Sequence, residues 1–319
     1  MIPCNLCGSS DAEQIRSKDR HGGFLRSVIC RRCGLVWTDP RPTPDAMRTF
    51  YARDYRLDYK RAYQPKPRHI YRAGKVAVYR FLRIQPLLRP GFRVFDLGAG
   101  GGEVVYVLRA MGYAASGVEP SEGYARYAAD RLDVPVTQGF WQDAGVAPAS
   151  QDLVTMFHTM EHLEDPLGAL RRASQWLTPQ GLLFIEVPNV EATYNQPHQQ
   201  FHRGHLYHFN MATLQTMGRR AGYAAIGESR SSDGGIISVV FQKTDATPPP
   251  SGEIVGNYEQ VASILRRHTT ASHVFSRYPY VRPFQKLKAW VEEQRNARLH
   301  QSPTAVLDGL IETLLVVGR

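Results

Sequence analysis

The sequence predicts an α/β fold, a mostly parallel sheet covered by helices, with a small cysteine-rich module before it and helices after it. Three observations predict this. Between residues 91 and 243 short apolar runs alternate with amphipathic segments, the pattern of a parallel sheet under helices. A glycine-rich turn, Asp96 to Gly102, stands where one of those runs gives way to a helical pattern. All four cysteines fall within the first 33 residues, in two pairs. The 319 residues, 43% of them apolar, can bury one such core with smaller pieces attached, which excludes a disordered or fibrous chain.

Composition divides the chain into four regions. Residues 1–44 hold the cysteines and close on WTDPRPTP, which can continue neither a helix nor a central strand. Residues 45–90 read as a basic helical segment, with Tyr51, Tyr55, Tyr59 and Tyr63 recurring along one slowly rotating face. Residues 91–246 carry the strands: RVFDL at 93–97, AASGVEP at 114–120, QDLVTMF at 151–157 and GLLFIEV at 181–187, with the amphipathic DPLGALRRASQWL between the last two. A helix starts at Asn210 as its N-cap, and AIGESRS and IISVVFQK flank Asp233, Gly234 and Gly235 as a closing hairpin. TPPPSG at 247–252 reads as a linker. Residues 253–319 read as a helical appendage suited to packing, a lid or homodimerisation.

Charged residues make up 21% of the chain and no run approaches the roughly eighteen apolar residues of a membrane span. The start, MIPCNLCGSSDAEQ, has no signal-peptide pattern, so a cytoplasmic chain is expected. The formal charge of +10 is concentrated: between Arg48 and Arg93 thirteen Lys or Arg face only Asp54 and Asp58, a local excess of +11. Such a field favours an anionic partner, whether a phosphorylated or nucleotide-linked small molecule, nucleic acid or a membrane surface. The plainer reading is a solvated arginine-rich helix.

Cys4-x2-Cys7 and Cys30-x2-Cys33 are each followed by glycine and lie twenty-two residues apart. A secreted disulfide scaffold would not confine its cysteines to so short a stretch, so a reducing compartment is expected. Four thiolates can close a tetrahedral zinc site, with iron the minor alternative, and forty residues have too little core to fold unaided. With no position left open, such a zinc is structural.

The turn Asp96-Leu97-Gly98-Ala99-Gly100-Gly101-Gly102 lets the backbone approach a ligand, and a nucleotide-like cofactor is implied. A dinucleotide fingerprint needs glycine where this sequence has Glu103, which disfavours NAD and FAD. Glu119 ends the next strand, where one carboxylate can accept from both hydroxyls of a ribose. These residues, with FHTMEHLEDP after the strand at 151–157, resemble a class I S-adenosylmethionine-dependent methyltransferase over roughly residues 91–243. The resemblance implies a Rossmann-like sheet of seven strands with the last antiparallel. It also implies that Asp96 with Gly98, Ala99, Gly100 and Gly102 holds the methionine end of the cofactor, and Glu119 and Pro120 the ribose. Phe140 and Trp141 would take the adenine, and Phe157 and His158 would line the methionine and the reaction chamber.

The cysteine module followed by C-G-L-V-W-T-D-P-R-P, and V-P-N at 187–189, resemble methyltransferases of bacterial sugar, polysaccharide and secondary-metabolite pathways. Members that methylate sugar carbon carry a pattern near E-H-x-x-Y where this sequence reads R-G-H-L-Y-H-F, so O-methylation comes first and carbon second. His198, His202, His205 and His208 crowd the segment before Asn210, read as a substrate-facing loop. A neutral imidazole there can take the acceptor's proton, and His205, matching a recurrent histidine of the resembled group, leads over His162, His158 and Tyr51. Helical spacing of His198, His202 and His205 could instead mark a metal site, with no carboxylate partner evident nearby. The competing functions are an RNA methyltransferase gripping nucleic acid with the zinc ribbon and basic segment, and a non-enzymatic zinc-dependent scaffold.

Overall fold

The computed structural model describes residues 2–54, 64–197, 199–249, 251–299 and 302–317. Tyr55, Tyr59, Tyr63 and His198 lie outside the described residues, as do Arg56, Lys60 and Arg61 of the basic segment. In chain order the elements are β1 (Ala12–Lys18), β2 (Phe24–Cys30), β3 (Val36–Thr38), α1 (Pro44–Thr49) with a π-helical turn (Phe50–Asp54), and α2 (Pro67–Ile84). Next come β4 (Arg93–Leu97), α3 (Glu103–Ala110), β5 (Ala114–Glu119), α4 (Glu122–Leu132), β6 (Val136–Gln138) and β7 (Gln151–Phe157). A short turn (Met160–His162) leads to α5 (Pro166–Trp176), β8 (Leu177–Pro188), β9 (Tyr207–His208), α6 (Met211–Arg220), β10 (Tyr223–Arg230) and β11 (Ile236–Lys243). The chain ends in α7 (Asn257–Arg267), α8 (Thr270–Val274), α9 (Tyr278–Leu299) and α10 (Pro303–Val317).

The larger sheet has seven strands in the order β10-β11-β8-β7-β4-β5-β6. β4 pairs in parallel with β5 and β7, and β5 with β6, while β11 runs antiparallel to both β8 and β10. This is the Rossmann-like sheet with an antiparallel last strand that the sequence predicts. The chain divides into two compact units, residues 1–44 with 156–282, and residues 45–155 with 283–319.

In the first unit a four-stranded antiparallel sheet, β1-β2-β3-β9, holds the cysteine module. Its last strand comes from the histidine segment, since Val36 pairs with His208 and Trp37 with Tyr207, so this part of the expected loop is a strand. Leu25, Ile29 and Val36 share one buried cluster with Phe201, Val261 and Leu265, so the module's apolar side chains pack on β9's flank and α7 rather than on a core of their own. Gly34 is held at φ +73°, and a Cβ there would stand 2.5 Å from Asn257 Nδ2. Asn5, between the first two cysteines, caps α5: its Oδ1 accepts from Leu167 N–H at 3.0 Å and its Nδ2 donates to Asp165 at 2.8 Å.

In the second unit α2 and α10 pack so closely that a Cβ at Gly74 would lie 2.7 Å from Leu307 and Leu310. The local charge excess is partly cancelled there: Arg48 pairs with Asp143 at 2.9 Å, Arg72 with Glu293 at 2.6 Å, Lys75 with Glu292 at 2.7 Å and Arg93 with Asp152 at 3.0 Å. Of the C-terminal helices, α7 and α8 fall in the first unit and residues from 283 onward in the second. Among the described residues no helix is long and apolar enough to cross a membrane.

Candidate functional site

β4 and β5 run in parallel, so Asp96 and Glu119 end neighbouring strands on the same edge of the second unit, where ligands of open α/β sheets bind. Asp96 is 3% exposed and accepts from Thr155 Oγ1 at 2.7 Å. Burial pushes its carboxyl up to about 6, against the opposing pull of the Thr155 hydroxyl. The turn that follows puts Gly98, Gly100 and Gly102 at φ of 82°, 60° and 83°. At Gly102 a side chain is excluded twice over, because its Cβ would also meet Ala128 and Val134 at 2.8 Å. Ala99 is buried, and its N–H and that of Gly98 donate to Val118 O.

Glu119 is buried to 3% and faces this turn: Gly100 N–H donates to Oε2 at 2.9 Å and Ser121 N–H to Oε1 at 3.2 Å, across Pro120. Phe140 lies under the Arg48 guanidinium, 4.8 Å from ring centroid to Cζ, and the same Arg48 pairs with Asp143. The Trp141 indole N–H is buried without a protein partner, a donor open to a ligand's polar atom. A buried carboxylate facing a glycine turn, and an aromatic pair with a buried indole N–H, fit a nucleoside-bearing cofactor. Tyr51, also in the second unit, is buried in the π-helical turn with its ring edge-on to Phe50.

The first unit holds the histidines. Phe157 is buried against Phe184, and His158 follows it at φ +53°, a left-handed backbone unusual for this residue and a mark of functional sites. His158 is 36% exposed in its side chain, with Nδ1 3.2 Å from Glu161 Oε1 and Nε2 3.7 Å from Glu186 Oε1. Burial pushes the Glu161 carboxyl up, but His158 and His162 more than reverse this and leave it below the ordinary value. His162 Nδ1 lies 2.6 Å from Gly204 O. His205 packs its ring 3.8 Å from that of His202 and 4.9 Å from that of His162. Burial first, then His202 and His162, hold the His205 imidazole well below its usual value, while burial brings His202 to about 2 and His208 to about 4.

The histidines do have carboxylate partners, which corrects the expectation that none is nearby: Glu161 Oε1 stands 3.9 Å from His162 Nε2 and 4.0 Å from His205 Nε2. Sequence reasoning missed Glu161, Glu186 and Thr155. Glu161 was in view inside E-H-L-E-D-P, but nothing local shows that the turn Met160–His162 buries it.

The four cysteines come together as expected. Their sulfurs all lie within 4.8 Å of one another, with Cys4 to Cys33 at 3.5 Å and Cys7 to Cys30 at 3.4 Å. Thiolates about 2.3 Å from a tetrahedral ion stand about 3.8 Å apart, so the set fits zinc with small adjustments. Gly8 and Gly34 N–H donate to the carbonyls of Cys4 and Cys30, closing each knuckle. Cys33 O accepts from Asn257, whose Oδ1 accepts from the α6 cap Asn210, which also donates to Glu191.

A C-methyltransferase, NovU, from Streptomyces niveus is 26% identical over 260 residues, 75% of this chain and 60% of that protein. A ubiquinone biosynthesis O-methyltransferase from Azorhizobium caulinodans is 34% identical over 109 residues, 32% of this chain and 43% of that protein. The chain thus spans less than two thirds of the length of these relatives. A solved SAM-dependent methyltransferase from Archaeoglobus fulgidus is 16% identical, covering 53% of this chain and 94% of its own, with a TM-score of 0.47. A family model described as a methyltransferase domain matches residues 53–227, more than half of the chain. The chain belongs to this methyltransferase-domain family.

Proposed function

We propose that the chain is an S-adenosylmethionine-dependent methyltransferase that methylates a hydroxyl of a small-molecule acceptor, a sugar or sugar nucleotide first among them. The observation that carries this is Glu119, a buried carboxylate at the end of β5 that is tied to the glycine turn by the Gly100 N–H. Asp96 and the backbone of residues 98–102 would hold the methionine end, Glu119 the ribose, and Phe140 and Trp141 the adenine. S-adenosylmethionine supplies the methyl group from a sulfonium sulfur.

The acceptor must lose a proton as its bond to the methyl group forms, and His158 is the group we assign to take it. Donation from its Nδ1–H to Glu161 leaves Nε2 as the basic atom, and the imidazolium formed would stand between Glu161 and Glu186. His205 is the weaker candidate, because burial among four other imidazoles opposes a positive charge on it. Methylation of carbon is a second reading, favoured by the C-methyltransferase whose match covers 75% of this chain. Under it His158 would remove the proton from carbon.

An anionic, nucleotide-linked acceptor suits the basic segment 48–93, though the pairing of Arg48, Arg72, Lys75 and Arg93 weakens that field. The four thiolates would hold one structural zinc that fixes the knuckles against α5 and α7.

The test is turnover of methyl-13C S-adenosylmethionine with a panel of nucleotide-linked sugars. An O-methyl carbon resonance in the product is expected. A C-methyl resonance moves the acceptor atom to carbon, and a chain that binds no S-adenosylmethionine by calorimetry is not this enzyme. Elemental analysis should find one zinc per chain, and an ordered N-terminal sheet without zinc or iron would refute the structural role.

A further inference from the structure

Every residue of α9 from Pro283 to Val291 is exposed, although four of them are large and apolar: Phe284 at 74%, Leu287 at 58%, Trp290 at 49% and Val291 at 43%. A helix turns about 100° per residue, so these four share an arc of about 120°, and Lys286 and Lys288 each stand about 40° beyond one of its edges. The helix is held from the side away from this arc. Arg72 donates to both oxygens of the buried Glu293, at 2.6 and 2.7 Å, and Glu292 accepts from Lys75 at 2.7 Å and Tyr71 at 3.0 Å. Lys288 stands within electrostatic reach of Glu292, but the hydrogen bonds of that carboxylate go to α2. From residue 260 to 291 the sequence has six Lys or Arg and no Asp or Glu. Two acids thus pin the helix to α2, and the face left in solvent is apolar with a cationic rim.

We propose that α9 between Pro283 and Val291 docks the protein on an anionic lipid bilayer, with the apolar arc in the headgroup boundary and Lys286 and Lys288 on the lipid phosphates. A helix with Phe, Leu and Trp on one face and lysines beside them lies in the plane of such an interface without crossing it. Lysine stems can run along the apolar boundary while their ammonium groups stay at headgroup level, and tryptophan suits the same depth. The absence of any acid from 260 to 291 leaves nothing in that stretch to repel the surface. A nucleic acid fits less well, since Leu287 and Val291 offer no ring for a base to stack on. A second copy fits less well too. The exposed stretch rises only about 14 Å, short for the roughly 800 Å² per partner of a stable pair. A two-fold contact would also set a face bearing Lys286 and Lys288 against itself. The docking is independent of the methyl-transfer chemistry.

The test floats the full-length chain with vesicles of phosphatidylcholine alone and of phosphatidylcholine with about one third phosphatidylglycerol. Binding to the anionic vesicles should exceed binding to the neutral ones by about tenfold or more and should weaken as salt rises. Tryptophan emission should shift to the blue on binding, and Trp290→Phe should remove the shift. Phe284→Ser combined with Leu287→Ser should weaken binding about tenfold or more at an unchanged melting temperature, since both side chains are exposed. Lys286→Gln combined with Lys288→Gln should cost a similar factor on anionic vesicles and little on neutral ones. The docking is overturned if the parent floats with neither vesicle. It is equally overturned if the folded serine variant floats as the parent does, which would give the contact to the basic segment 48–93. Binding of single-stranded RNA through these residues without vesicle binding, or a dimer that the serine variant splits, overturns it by giving the face another occupant.

Discussion

Glu119 and Glu161 are both buried glutamates, 3% and 1% exposed, and they are satisfied in opposite ways. Glu119 ends a strand and takes two backbone N–H groups, from Gly100 and Ser121, supplied by its own strand end and the neighbouring turn. Glu161 sits in a short turn and takes imidazoles from His158, His162 and His205, with one oxygen left unpartnered. Backbone N–H donors suit the first carboxylate to a site that holds a neutral ligand's hydroxyls. Imidazoles can accept or release a proton or bind an ion, so the second governs charge. The difference suits the first carboxylate to holding a ligand and the second to chemistry.

The largest expected effect tests the holding role. Glu119→Ala removes charge-assisted hydrogen bonds to two hydroxyls and leaves Gly100 and Ser121 N–H without their partner. At roughly 1.5–3 kcal/mol for each lost bond, S-adenosylmethionine affinity should fall on the order of 10³-fold. Calorimetry giving the parent affinity for a folded variant would remove Glu119 from the cofactor site.

Asp96 sharpens the same side of the comparison. Its folded value of about 6 lies above the ordinary carboxylate value, so the folded state resists its ionisation. Stability therefore falls as pH rises from about 4 to about 6, by at most about 3 kcal/mol, and stays lower above that range. Asp96→Asn cannot ionise and keeps a partner in Thr155. The variant should melt higher than the parent at pH 8, by several degrees, and the gap should close near pH 4. The same variant should bind cofactor less well. An unchanged melting difference across that pH range would show that Asp96 carries no such burden.

The two sides were not equally legible in the sequence. The glycine turn could be read because its parts are local: a strand, glycines that must adopt positive φ, and an acid one strand later. The thiolate set could be read from spacing alone. The chemistry of Glu161 could not, because its partners come from residues 158, 162 and 205, and only the fold turns that carboxylate inward. The pairing of Trp37 with Tyr207, which makes part of the histidine segment a strand, is likewise a tertiary event that periodicity cannot reveal. Charge counting erred in the same direction, since Asp143, Asp152, Glu292 and Glu293 lie outside the basic segment yet neutralise part of it.

The governing side of the comparison is tested by His158→Asn, which keeps a polar side chain but no base. The rate constant for methyl transfer should fall about 10²-fold, the ordinary size of a general-base contribution, with cofactor affinity within twofold of the parent. A variant that loses cofactor affinity in parallel would place His158 among the holding residues instead.

The smallest effect separates two contacts made by one side chain. Arg48 lies over Phe140 and pairs with Asp143, and both members of that ion pair are exposed, at 41% and 60%. The ion pair should contribute little to stability, under about 1 kcal/mol, and less at high salt. The ring contact, at about 0.5–1 kcal/mol, is not screened in the same way, and it would orient Phe140 if that ring flanks the adenine. Arg48→Ala should therefore leave the melting temperature almost unchanged and weaken S-adenosylmethionine two- to fivefold, a loss that persists at high salt. If the loss disappears in high salt, Arg48 acts through Asp143 and its charge. If it never appears, Phe140 does not need Arg48 to hold the cofactor, and the aromatic pair carries that end of the site alone.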